Sequence, residues 1–539
     1  MFKSIIYKQL SVVLLMLVFG YACTDLNEVV YDQITEENFN PTGDDIGALM
    51  APAYTPLRGM KLGWYSFMDL QGETSDELVT PVRPNGWYDG GIYIRMHTHQ
   101  YDMFSGMHNS LYGNAFSGIN AANRVIYQIE SGVAPLETGA DETIAELRGL
   151  RAYYYWLLLD NHGNVPIVTD FSDDTLPQQS NRQQVYDFVV SELNEVMPLL
   201  TEEIGPSTHG RFTRWAAKSL LTRIYINAEV YTGTPQWDAA LNMANDIINN
   251  GPFALEPQFK SNFSLTNENS QEIIWAVPYD ELLGTGNEYH MKSFPPIMQR
   301  IFGMQAQPWG GNAALPQFID TFDEDDGRLA DTWLMGEYAD PETGEVLIEF
   351  VNKIETLESG VPQPYEWGYS PAKYEVPIPD ARQSTSTDYP IFRLAEIMFH
   401  KAEVMLRNGD AEGAAAIVNQ IRARNFDPFG EDKMVTGADL LGGSSYPYGY
   451  VVDGEIAEYE GGGDIVYGGF MDELGYEFAM EAHRRRHIIR FKTSSGEPVF
   501  TAKSWFKRRA THSPHLMIFP LPESALNTNT NLKQNPGYN

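Results

Sequence analysis

A mostly α-helical frame of stacked antiparallel hairpins, interleaved with a large irregular half and a few short β-strands, is the architecture this chain predicts. Three observations carry that prediction. Apolar residues recur at three- and four-residue steps through several long windows. Two pairs of these windows are joined by Gly-containing turns and place small residues where helices would touch. Between the windows run long stretches rich in Gly, Pro, Asn and aromatics that keep no helical period.

The first element is a leader. Lys3 and Lys8 form a positive start, Leu10 to Phe19 is almost wholly aliphatic or aromatic, and small Ala22 precedes Cys23. The apolar run is too short to cross a bilayer. Residues 1–22 are therefore read as a lipoprotein signal peptide and Cys23 as the lipidated N-terminus, where several acyl chains make a stable anchor. Cys23 is the only cysteine, so no intramolecular disulfide forms and a packed core must stabilise residues 23–539, read as one domain.

Helices follow at Asp44 to Met60 and Asn109 to Ser131. Thr143 to Asp160 carries Ile144, Leu147, Leu150, Tyr154, Leu157 and Leu158 as one buried stripe, and Asn181 to Leu200 is capped at Ser180 or Asn181. Arg211 to Asn250 folds as a hairpin around Gly233-Thr234-Pro235, with Ala239, Ala240 and Ala244 as contact residues. Arg393 to Arg424 repeats the pattern around Gly409-Asp410. Each is close to the length of a tetratricopeptide hairpin, a unit that buries its apolar face only by stacking. Asp472 to Phe491 predicts a further helix, and Ile273 to Val277 and Leu516 to Phe519 short strands. Residues 61–108, 284–380 and 426–470 form the irregular half, and loops of this length in a compact protein are usually functional.

Charge narrows the function. The net charge of −35 excludes nucleic acid as the main ligand, since phosphate binding needs a basic surface, and it does not penalise neutral ligands. The basic residues from Arg484 to Lys492 and from Lys503 to Arg509 are read as internal ion pairs. HExxH, GxSxG and P-loop motifs are absent from the sequence, and Asp323 to Gly327 lacks calcium-loop spacing. His97-Thr98-His99 lacks a third ligand for a metal site.

Several short motifs occur in order along the chain. They are Leu147-Arg148-Gly149-Leu150-Arg151-Ala152-Tyr153-Tyr154, Gly163-Asn164-Val165-Pro166, Gly210-Arg211-Phe212-Thr213, Gln271-Glu272-Ile273-Ile274-Trp275, Phe392-Arg393-Leu394-Ala395-Glu396, Glu481-Ala482-His483-Arg484-Arg485 and Phe519-Pro520-Leu521-Pro522-Glu523. With Cys23 and the closing Gln534-Asn535-Pro536-Gly537-Tyr538, they resemble the SusD/RagB family of outer-membrane glycan-binding lipoproteins of Bacteroidetes. The resemblance implies a tetratricopeptide-like scaffold with an irregular ligand-binding half, exposed at the cell surface and capping a SusC-like TonB-dependent transporter. It implies capture and delivery of a polysaccharide or its oligosaccharides, with no catalysis and no cofactor. Asp25 fits the acidic surface-export signal of such lipoproteins loosely. The loops that select the sugar vary most in the family, so no particular glycan is implied.

A glycan site needs flat aromatic platforms and edge hydrogen-bonding groups, because sugar rings have apolar C–H faces and a belt of hydroxyls. Arg83-Pro84-Asn85-Gly86-Trp87-Tyr88-Asp89-Gly90-Gly91 offers Trp87 as a platform with Arg83, Asn85 and Asp89 as polar partners; in the family the corresponding loop contributes to the sugar site. Trp309, Trp367 and Tyr369 are the next candidates. Trp215, Trp237, Trp275 and Trp333 are read as core. The rival readings are a glycoside hydrolase, for which no two carboxylates stand out, and a peptide-binding tetratricopeptide scaffold, which the Trp-bearing loops disfavour.

Overall fold

A computed structural model describes residues 43–104 and 106–538. The leader, Cys23 and Asp25 lie outside the described residues. Four helices open the frame: α1 (Gly43–Leu62), α2 (Gly106–Glu130), α3 (Ala140–Asn161) and α4 (Arg182–Val196). Each packs on the next. A second run follows, with α5 (Arg214–Ile226), α6 (Trp237–Asn250), α7 (Leu394–Arg407) and α8 (Ala411–Arg422), again with consecutive helices in contact. Stacked hairpins of the tetratricopeptide kind are thus the scaffold, with short strands elsewhere.

Local chemistry explains the boundaries. Asn181 caps α4 in a reciprocal box: its side chain accepts from the Gln184 N–H at 2.9 Å, and the Gln184 side chain accepts from the Asn181 N–H at 2.9 Å. Helix α3 is more buried than one stripe predicts, for every residue from Gly149 to Asn161 is buried. Neighbours enclose it on several sides, and a β-carbon on Gly118 of α2 would lie 2.3 Å from the Tyr154 ring. Such close approach is the role of a small residue. Trp215, Trp275 and Trp333 are buried, whereas Trp237 is half-buried at the start of α6.

Strand β1 (Ile273–Val277) pairs antiparallel with β2 (Tyr389–Arg393). In the irregular half, Leu78–Val79 pairs with Ala313–Ala314, and Trp333–Leu334 with Ser370–Pro371. Segments distant in sequence are thereby held side by side. Residues 61–108 are also less irregular than expected, containing Phe67–Glu73 and Ile92–His97 as short helices.

Two expectations need correction. Leu516 to Phe519 is not a strand: Pro514 opens a single turn of 3₁₀ helix, Pro514–Met517, and the Phe519 N–H bonds the Asn161 carbonyl at 2.7 Å. Asp472 to Phe491 is not one helix but two, α9 (Gly468–Phe478) and α10 (Arg484–Arg490). Met480 and Ala482 lie between them at positive φ. The break frees the Glu477 and Ala479 carbonyls to accept from Lys373, at 3.2 and 2.7 Å, and turns Glu481 onto Arg393, Nε to Oε2 at 2.8 Å. Glu477, also buried, meets Arg393 at 2.7 Å, Arg424 at 2.6 Å and Arg328 at 3.3 Å. Of the basic residues beyond, Arg484 pairs with Asp76 at 2.7 Å and Arg490 with Glu403 at 2.9 Å, whereas Arg485 donates to the Leu516 and Met517 carbonyls and Lys507 to the Val451 carbonyl.

Candidate functional site

The most open concentration of indoles forms where α1 ends. Gly63 lets the chain turn back over the last helical turn, for a β-carbon there would lie 2.6 Å from the Gly59 carbonyl. Trp64 is thereby delivered to the surface, 44% exposed. Tyr65 follows at positive φ, and Ser66 and Asp69 then form a capping box that starts the next helix.

Trp87 comes from a second turn. Arg83 and Gly86 exchange two backbone hydrogen bonds of 2.8 and 2.9 Å, and Trp87 itself has φ +65°. A left-handed conformation costs a non-glycine residue about 1 kcal/mol or more. Its compensation is specific: the indole Nε1–H donates to the Trp309 carbonyl at 3.0 Å. The same carbonyl accepts from the Asn85 amide at 2.8 Å. Gly311 lies under the ring, where a β-carbon would stand 2.7 Å from the indole atoms.

Trp64, Trp87 and Trp309 therefore meet. Trp64 and Trp87 stack with centroids 5.6 Å apart and planes 28° from parallel, and Trp309 stands edge-on to Trp64 at 5.5 Å and 68°. Tyr93 supports Trp87 from within at 5.7 Å. The result is an aromatic corner with Trp64 exposed, Trp87 and Trp309 half-buried, and Asn85, Tyr88 and Asp89 exposed beside it.

One buried lysine joins the parts. Lys292 donates to the Gly63 carbonyl at 2.5 Å and to Asp69 at 2.6 Å, while its own carbonyl accepts from the Gly311 N–H at 2.5 Å. Next to it, the Met291 carbonyl accepts from the Trp309 N–H at 2.6 Å. The Trp64 and Trp309 segments are thus fixed to one post. Both members of the Lys292–Asp69 pair are buried, where loss of one partner strands a charge.

The remaining candidates divide. Arg83 is a correction: it is 2% exposed and donates to the carbonyls of Gly311 at 3.1 Å, Pro364 at 2.5 Å and Trp367 at 3.0 Å. It is a strut joining three segments rather than an open polar partner, and burial pushes its guanidinium down to about 10. Trp367 is half-buried with the Lys353 ammonium 4.3 Å over its ring, and makes no ring contact with the three indoles. Tyr369 is half-buried between two apolar clusters, its carbonyl accepting from the Ala314 N–H at 2.9 Å. His97 and His99 lie at the end of a helix, His99 bonding the Thr74 carbonyl at 3.0 Å.

Sequence reasoning missed Trp64, Tyr93 and Lys292. The signal for Trp64 was a Gly-Trp-Tyr step directly after an amphipathic helix. A larger cavity, about 470 Å³, lies between the 204–211 loop and residues 252–276 and includes His209, Arg211, Phe253 and Gln271. Its only tryptophan, Trp275, is core, bonded through Nε1 to the Gly210 carbonyl at 3.0 Å. The corner, by contrast, exposes the Trp64 indole.

A helical-hairpin frame that presents an aromatic corner and exposed polar groups, with no metal-ligating cluster among the described residues, defines a class of ligand-binding scaffold. Comparison with known proteins gives the family. Residues 317–538 match the model described as SusD family, and residues 70–226 match that described as starch-binding associating with outer membrane. By both matches the chain resembles the SusD family. It is 25% identical over 437 residues to the starch-binding protein SusD of Bacteroides thetaiotaomicron, covering 73% of this chain and 72% of that one. Surface glycan-binding protein A from Bacteroides uniformis superposes with a TM-score of 0.68 at 18% identity, over 92% of this chain and 99% of its own. A laminarin-binding SusD-like protein gives 0.67 at 18%, over 93% and 100%. These superpositions establish the shared fold.

Proposed function

We propose that this chain is a surface-exposed lipoprotein of the outer membrane that captures a polysaccharide or its oligosaccharides and passes them to a SusC-like TonB-dependent transporter. The chain is a binding protein and not an enzyme. The observation that carries the reading is the Trp64–Trp87–Trp309 corner, whose exposed Trp64 indole, backed by two half-buried ones, suits the C–H faces of sugar rings and whose neighbours Asn85, Tyr88 and Asp89 suit the hydroxyl belt. Relatives named for starch, laminarin and surface-glycan binding support the ligand class. The leader ending at Cys23 supports a lipid anchor, and no described helix is long and apolar enough to cross a membrane.

The test is retardation in a glycan-loaded native gel. Wild type is retarded without releasing reducing ends, and Trp64→Ala loses about tenfold or more in affinity, as expected of a central aromatic anchor. Unchanged retardation of Trp64→Ala with the cognate glycan would place the site elsewhere. Recovery of the chain in the soluble periplasmic fraction, rather than with outer membrane, would refute the anchor; failure to co-purify with the transporter would refute the delivery step.

A further inference from the structure

Beside the corner opens a cleft of about 390 Å³ lined by Pro296, Ile297, Gln299, Arg300, Gln307 and Tyr365. It adjoins the corner through Tyr365. Gly310, the residue after Trp309, approaches the Tyr365 ring so closely that a β-carbon would stand 3.0 Å from it, and the Tyr365 hydroxyl lies against the Asn85 backbone N–H. The volume is within the range of small-molecule sites.

The charge of this cleft is unlike that of the whole. In a chain of net charge −35, Arg300 is the only charged residue of the lining, and Gln299 and Gln307 add amide N–H donors. Arg300 is oriented from behind by Asp340, whose side chain is 1% exposed. One Asp340 oxygen meets the guanidinium, and the other accepts from the N–H groups of Glu342 at 2.8 Å and Thr343 at 3.2 Å. The buried carboxylate is thus fully engaged, while the Arg300 side chain remains 59% exposed. Contact through one nitrogen leaves the other N–H groups of the Arg300 guanidinium to donate, and such donors pair with a carboxylate or an ester sulfate. The acidic surface at large is screened beyond about 8–10 Å, so the groups lining the cleft decide what enters.

We infer that this cleft is a subsite for an anionic substituent, a uronate carboxylate or a sulfate ester, on the glycan whose rings lie against the Trp64–Trp87–Trp309 corner. The inference rests on the glycan-binding reading above. It makes the corner the general platform and the cleft the selective element, with the apolar side of Ile297 and Pro296 holding the sugar ring that bears the charge.

The experiment is an array of immobilised neutral, uronate-containing and sulfated oligosaccharides, probed with wild type, Arg300→Gln, Arg300→Lys and Trp64→Ala, each checked for an unchanged thermal melt. The expected result is that the strongest wild-type binders carry an acidic group, that their binding weakens with salt, and that Arg300→Gln loses about tenfold on them, the scale of a charge-assisted hydrogen bond. Binding to neutral glycans stays unchanged in that variant, and Arg300→Lys keeps part of the acidic preference. Uronate and sulfate arms separate the two sources of charge. Should the strongest binders all be neutral and depend on Trp64, or should Arg300→Gln leave the acidic ones unaffected, the subsite is refuted while the glycan reading stands. If no glycan binds wild type, both fall.

Discussion

Replacing Gly311 by alanine tests whether the corner depends on the ring of Trp87 lying flat against the backbone. No left-handed conformation is required at Gly311, so alanine meets no torsional penalty. Its β-carbon, however, would arrive 2.7 Å from the Trp87 indole, about 0.8–1.3 Å inside the ordinary carbon–carbon separation of about 3.5–4.0 Å. The ring must retreat by roughly that amount. The Trp87 Nε1 bond to the Trp309 carbonyl, 3.0 Å at rest, then stretches beyond hydrogen-bonding range, and the stack on Trp64 opens. Overpacking of this kind costs about 1–3 kcal/mol, and the lost hydrogen bond about 0.5–1.5 kcal/mol. A urea titration followed by tryptophan fluorescence reads the stability change, and a glycan-loaded gel reads affinity, which should fall because the platform is tilted. A folded Gly311→Ala protein with wild-type affinity for its glycan would refute the claim that Trp87, in the position described, forms part of the binding surface.

Other expectations concern the buried charges. Glu477→Gln leaves Arg393, Arg424 and Arg328 converging on a neutral amide and should destabilise by about 3–5 kcal/mol, the usual cost of breaking a buried charge cluster; a urea midpoint equal to wild type would show the cluster to be energetically idle. Glu73 is buried and pushed up to about 8, mainly by desolvation, although the Thr80 N–H donates to it at 3.1 Å. Its folded form keeps a proton that the unfolded chain releases near 4.5, so stability from this group is full below about pH 4.5 and is lost as pH rises through about 8. At about 1.4 kcal/mol per unit, Glu73→Gln should flatten the fall in unfolding free energy between pH 5 and 8 by up to about 4 kcal/mol; parallel pH profiles for the two proteins would contradict this.

The helices were legible because their signal is local. Periodicity placed α3 to α8 within a few residues, and the Asn181 cap was readable in the sequence. The break between α9 and α10 was not, because its cause lies about 90 to 110 residues away: Glu481 must reach Arg393 and Lys373, and no neighbour of Glu481 records that requirement. The candidate site divides the same way. Trp87 and Trp309 stood in Gly- and Pro-rich surroundings that sequence reasoning recognises, and the structure brings them together. Trp64 sat at the end of a helix and was read as part of a long loop. Lys292 gave no sign at all, since its partners are a carbonyl at Gly63 and a carboxylate at Asp69, both more than 220 residues away.

The Arg83 strut has a consequence for how such a protein diversifies. Its guanidinium grips only main-chain oxygens, those of Gly311, Pro364 and Trp367, and a carbonyl is the same whatever side chain it belongs to. Residues 364 to 367 can therefore be rewritten by mutation without loosening the joint that positions them. Selection acts on the lettering while the hinge-pin stays in place, and a descendant lineage can change the chemistry of this segment before it changes its shape.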